Sequence, residues 1–161
     1  MDVGAMKNQE GLQSTVVIID PVGKKAGLDH YNDSLSRALK AKGLDVKIWS
    51  NYKSQFSEAV FKFRFGKSFF DLLSLVNSLF RIFKLLKEVK PQVVVLHIFK
   101  INRSTISLSR EIKKQQRKLV YILHDLESLI GEQFNDDDMK TGLDLSDEIV
   151  VHNQFTYDEL V

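Results

Sequence analysis

Four histidines are the residues here best suited to proton exchange near neutral pH: His30, His97, His124 and His152. His124 has a carboxylate beside it, Asp125, with Glu127 two residues further on. An imidazole held near neutral pKa beside a carboxylate can hydrogen-bond or exchange a proton with a bound hydroxyl or phosphate. No His-x-His or His-x-x-x-His pair occurs, so a compact zinc site is not expected. A second candidate is the run Gly23–Lys24–Lys25–Ala26–Gly27, whose backbone amides and lysines suit an anion. It does not fit G-x-G-x-x-G, and no G-K-[ST] follows. Nor is there an acidic cluster at this position, because Asp20 stands alone before Pro21. A plain solvated turn explains the loop equally well.

These residues need elements to position them. Lys118–Leu129 reads KLVYILHDLESL, an apolar run that stops at His124 and suits a strand buried on both faces. Thr15–Asp20 (TVVIID) and Val93–Phe99 (VVVLHIF) have the same character, and Ile149–Val151 is a shorter version. The strand ends then carry His97, His124 and His152, followed by Asn153, while His30 opens the first helix. From Asp29, Tyr31, Leu35, Ala38, Leu39 and Lys42 fall on one helical face, and Gly43 follows as a stop. Leu44, Val46 and Ile48 then alternate with polar residues as a second strand. Strand, glycine loop, helix and strand in this order predict a βαβ unit with a right-handed crossover. The fold class expected is α/β, a doubly wound, mostly parallel, Rossmann-like sheet of five to six strands. In such sheets ligands bind outside the carboxyl ends of the strands, where all four histidines would gather.

Between the second and third strands the pattern changes. Phe61, Phe63 and Phe65 alternate with Lys62 and Arg64, and Lys67 follows, predicting a short strand with an aromatic and a basic face. A long helix over about Ser68–Glu88 has its stripe at Leu72, Val76, Leu79, Phe83 and Leu86, widened by further apolar residues. Such a helix is buried on more than one side, or meets a partner or bilayer. The Phe/Lys/Arg segment suits docking on an anionic membrane surface as well as core packing. Further on, Ser104 or Thr105 is expected to cap a helix, and a short helix is expected near residues 135–143.

The 161 residues suit one domain over 15–161 behind a loose tail at 1–14. A net charge of +2 gives no argument for nucleic acid. The absence of cysteine excludes disulfides and thiolate metal sites and suits a cytoplasmic protein. No apolar run is long enough to span a bilayer.

Taken together, DPVGKKAGLDHYNDSLSRAL, KPQVVVLHIF, KLVYILHDLESL and SDEIVVHNQFTYDEL resemble the N-terminal domain of retaining GT-B glycosyltransferases of bacterial surface-polysaccharide synthesis, galactofuranosyltransferase-like members among them. The resemblance implies the acceptor half of a two-domain enzyme, with the C-terminal donor-binding domain absent and no turnover by this chain alone. It implies a nucleotide-sugar donor as substrate, no cofactor, a saccharide or lipid-linked acceptor, and a peripheral place on the inner face of the plasma membrane. By position it makes His124 and Asp125 catalytic, with Gly23, Lys24, Lys25, Gly27, His30, His97, Glu127 and Asn153 lining the cleft. Without that resemblance, the same residues suit a non-catalytic flavodoxin-like binding or interaction domain with structural histidines.

Overall fold

The computed structural model describes residues 14–21, 28–50, 67–99, 101–124 and 136–152, with side-chain environments in the helix over 67–89 described from Val76 onward. Five strands form one sheet: β1 (Thr15–Asp20), β2 (Asp45–Ser50), β3 (Val93–Ile98), β4 (Lys118–Leu123) and β5 (Glu148–Val150). Their spatial order is β2-β1-β3-β4-β5, and every neighbouring pair is parallel. Between them run α1 (Leu28–Ala41), α2 (Lys67–Val89), α3 (Arg103–Lys114) and α4 (Asp136–Asp144). The α/β reading therefore holds, as a parallel five-stranded, flavodoxin-like sheet.

Strand alternation sorts the side chains to two faces. Val17, Ile19, Val94, Leu96, Ile98, Leu119, Tyr121 and Leu123 point to one face, against Ile82 and Leu86 of α2, Ile106 and Ile112 of α3, and Met139 and Leu143 of α4. Val16, Ile18, Val46, Val95 and Ile122 point to the other, where Tyr31, Leu35 and Leu39 of α1 cover them. Runs such as Val16–Ile19 and Val93–Leu96 are apolar throughout because both faces are covered, as parallel sheets require.

Several local expectations shift. On α1 the buried positions are Leu28, Asn32 and Ser36, flanked by half-buried Tyr31, Leu35 and Leu39, whereas Ala38 and Lys42 are exposed. The helix is turned so that Asn32 reaches Asp20 at the end of β1. Gly43, at φ 83°, ends it in the left-handed region, as the stop signal predicts. Neither Ser104 nor Thr105 caps α3. Asn102 does, its Oδ1 accepting from both of their backbone N–H groups at 3.0 and 3.1 Å. On α2, Ile82 and Leu86 are buried, but Val76 (55% exposed) and Phe80 (66%) face outward, so the apolar stripe is one-sided where it is described. After α3 comes a buried guanidinium: Arg117 Nη2 donates to the Leu86 carbonyl at 2.8 Å, near the end of α2. Asp147 accepts from the Leu119 N–H at 2.7 Å and pairs with Lys113, tying β5 to β4 and α3.

No helix among the described residues is long and apolar enough to cross a membrane. The tail at 1–13 and the Phe61, Lys62, Phe63, Arg64 and Phe65 segment lie outside the described residues. Lys67 is the first residue of α2 and belongs to a helix, not to a basic strand face.

Candidate functional site

Period-two alternation places the histidines on the α1 side of the sheet. His97 follows Val93 and Val95 on β3, one residue before the strand ends. His124 stands just after β4, two residues beyond Ile122, and His152 two beyond Val150 of β5. Because Ile122 pairs with Val150, His124 and His152 continue the same register side by side. Asp20, the last residue of β1, stands one position beyond the Ile19–Leu96 pair, beside His97. The β1/β3 boundary is where the strand order reverses, and such a switch point is where open α/β sheets bind ligands.

His97 Nδ1 lies 2.7 Å from His124 Nε2, so one proton is shared between two imidazoles. Their rings are within 12° of parallel with centroids 5.0 Å apart, an edge-to-edge pair aligned for that hydrogen bond. His152 tilts against His124 at 4.9 Å and 37°. Phe99 stacks on His124 at 4.7 Å and 8°. From α1, the Tyr31 ring meets all three imidazoles edge-on, at 5.7 Å from His97, 6.2 Å from His124 and 5.3 Å from His152. Offset and T-shaped aromatic contacts of this kind each contribute about 0.5–1.5 kcal/mol beyond area burial.

His97 is 1% exposed. Burial removes the water that would solvate an imidazolium, and charge on His124 or His152 would repel it, so its pKa falls to about 4. His97 is therefore neutral at physiological pH. Burial also raises the Tyr31 phenol above its ordinary value, keeping it protonated. At the end of β1, Asn32 Nδ2 donates to Asp20 Oδ2 at 2.9 Å, with both residues buried. Two buried polar atoms here, His97 Nε2 and Asn32 Oδ1, have no hydrogen-bond partner.

The structure thus brings together His97, His124 and His152 as the strand ends predict. His30 is not among them. It is exposed, its backbone N–H accepted by the Asp29 carboxylate at 3.0 Å, and its neighbour Tyr31 supplies the α1 ring instead. Asp125, Glu127, Asn153 and the loop residues Gly23, Lys24, Lys25 and Gly27 lie outside the described residues. Sequence reasoning treated Tyr31 as packing, noted Asp20 only as an isolated acid, and passed over Asn32 and Phe99. The available signal was an acid ending an apolar strand with an amide early in the next helix. No group of three His, Cys, Asp or Glu among the described residues is arranged to hold a metal ion.

No family model matches the chain, and no curated protein matches it. Solved structures with a similar fold include a DNA-binding response regulator of the LuxR family from Staphylococcus aureus, 12% identical, covering 86% of this chain and 85% of that one at a TM-score of 0.47. A conserved protein from Enterococcus faecalis V583 is also 12% identical, covering 92% of this chain and 97% of that one at a TM-score of 0.46. Neither is described as a glycosyltransferase. The expectation of a GT-B acceptor half is accordingly withdrawn, together with transferase activity, the nucleotide sugar, the saccharide or lipid-linked acceptor and the membrane partner that came with it. The α/β topology that suggested it is equally that of a flavodoxin-like domain.

Proposed function

We propose that this chain is a non-catalytic binding domain of flavodoxin-like architecture, with its ligand site at the carboxyl ends of β1, β3 and β4. The observation that carries this reading is the convergence at the switch point of three imidazoles and two aromatic rings over a buried Asp20–Asn32 pair. A binding role fits the chemistry better than a catalytic one. A general base needs a nitrogen free to meet its substrate, yet His97 Nδ1 is engaged by His124 and its Nε2 is buried. The flat rings of Tyr31 and Phe99 beside three imidazoles suit a small planar ligand bearing a hydroxyl or amide.

The test is a nuclear magnetic resonance screen of the isotopically labelled chain with hydroxylated and amide-bearing aromatic fragments. Hits are expected to shift the resonances of Tyr31, His97, His124 and His152 together. Hits that map to α2, α3 or the opposite sheet face, or none at millimolar concentration, overturn the reading.

A further inference from the structure

The imidazole cluster joins elements that no other described contact joins in this way. α1 reaches the carboxyl ends of β3, β4 and β5 through one ring, Tyr31, set edge-on against three histidines. The sheet side of that contact is a single hydrogen-bonded chain, His97 to His124, with His152 packed beside it. We propose that the His97–His124–His152 cluster is an acid-sensitive latch, which holds the carboxyl edge of the sheet closed against α1 while its imidazoles are neutral and releases it on protonation. The proposal goes beyond the binding reading and does not depend on any ligand.

The geometry gives the reason. In the shared hydrogen bond one imidazole donates and the other must offer a lone pair. A first proton, taken up at the outer nitrogen of the donor ring, leaves the bond intact, whereas charging both rings sets two donors against each other at 2.7 Å. His97 cannot turn to water to solve this, because its other nitrogen is also buried. The titratable and charged groups facing it among the described residues are Tyr31 from α1, Asp20 from β1, His124 after β4 and His152 after β5. Tyr31 stays neutral throughout the relevant range. Among these described groups Asp20 is the one anion, and its Oδ2 accepts from Asn32. The net result is the depressed value of His97, about 4, against an ordinary value of about 6.5 once the edge opens.

That difference sets the size and sign of the effect. His97 takes up a proton below about pH 6.5 in the open form, and near pH 4 in the closed form. For His97 alone, lowering the pH from about 7.5 to about 5.5 multiplies the open population about tenfold. The probe is the His124 backbone N–H, which donates to the Ile98 carbonyl at 2.9 Å across the latched edge. Amide hydrogen exchange of the full chain, corrected for intrinsic rates, is measured at both pH values for His124 and for buried Val17 of β1. The expected result is a larger opening constant at His124 than at Val17, rising about tenfold in acid, with the rise largely lost in His97→Asn, which keeps a hydrogen-bonding group but does not titrate. Imidazole resonances of the unmodified chain give a second reading that needs no variant, with His97 remaining neutral to about pH 5. Equal opening constants at His124 and Val17 would mean that acid simply unfolds the domain. That result, titration of His97 near 6.5, or an undiminished rise in His97→Asn overturns the latch. None of these bears on whether fragments bind, so the two proposals fail separately.

Discussion

At the scale of single residues, the site rests on polar groups placed where a buried parallel sheet runs out. Asp20 and Asn32 are the starkest case: an amide 2% exposed is the described donor to a carboxylate that is fully buried. Replacing that amide by a second acid, Asn32→Asp, keeps the shape and sets two carboxylates against each other in low dielectric. We expect a loss of about 3 kcal/mol or more at neutral pH, shrinking as the pH falls and one of the pair takes up a proton. Urea unfolding of the variant at pH 7 and pH 5 checks both size and sign; a loss that grows in acid contradicts the account. The histidines were legible because strand ends can be read from where an apolar run stops. The Asp20–Asn32 pair was not, because a helix's rotation about its axis depends on what its first turn must cover. The face predicted for α1, through Ala38 and Lys42, was displaced for that reason toward Leu28, Asn32 and Ser36.

At the scale of elements, boundaries followed the sequence closely where an end had its own chemistry. Gly43 stops α1 in a backbone conformation that side chains with a Cβ rarely adopt. The cap of α3 was harder to read, because Asn102, Ser104 and Thr105 are all competent and lie within four positions. Asn102 takes the role because its extended backbone, φ −142° and ψ 177°, leaves its Oδ1 facing the Ser104 and Thr105 amides. Asn102→Ala should therefore cost about 1 kcal/mol, measurable as a lower urea midpoint with an unchanged slope, while Thr105→Ala should cost distinctly less. Gly142 shows a limit of pattern reading of another kind. A Cβ there would fall on Cγ2 of buried Ile101, so this glycine sets how closely α4 approaches the start of α3. Nothing in the local sequence announces that contact.

At the scale of the whole molecule, alternating strands and helices made a parallel α/β sheet legible, but pairing order was not, since β1 and β3 meet only through packing that no local pattern encodes. Function was least legible, because the same topology and strand-end histidines serve a transferase half and a binding domain alike. The molecule's response to acid belongs to this scale. The native pKa of His97, about 4, is below that of an unfolded histidine, so the unfolded chain binds the additional proton between those values. The neutral, buried imidazole thus leaves stability at its full value above about pH 6.5 and removes about 3 kcal/mol as the pH falls to about 4. Chemical denaturation at pH 7.5 and pH 4.5 should show most of that loss in the unmodified chain and much less of it in His97→Asn. The Asp147 carboxyl, held below its ordinary range first by the Leu119 N–H and then by Lys113, adds a loss in the same direction at still lower pH.

The placement of β1 between β2 and β3 has a consequence for synthesis. Thr15 donates its backbone N–H to Gln92, 77 residues later, and Val16 pairs with Val93. At the usual pace of about 5–20 residues per second, a ribosome takes roughly 4–15 s to cover that interval. Throughout it, β1, paired on both edges in the finished sheet, has one hydrogen-bonding edge without its native neighbour. A strand enclosed on both sides in the finished protein thus depends on protection while the protein is being made.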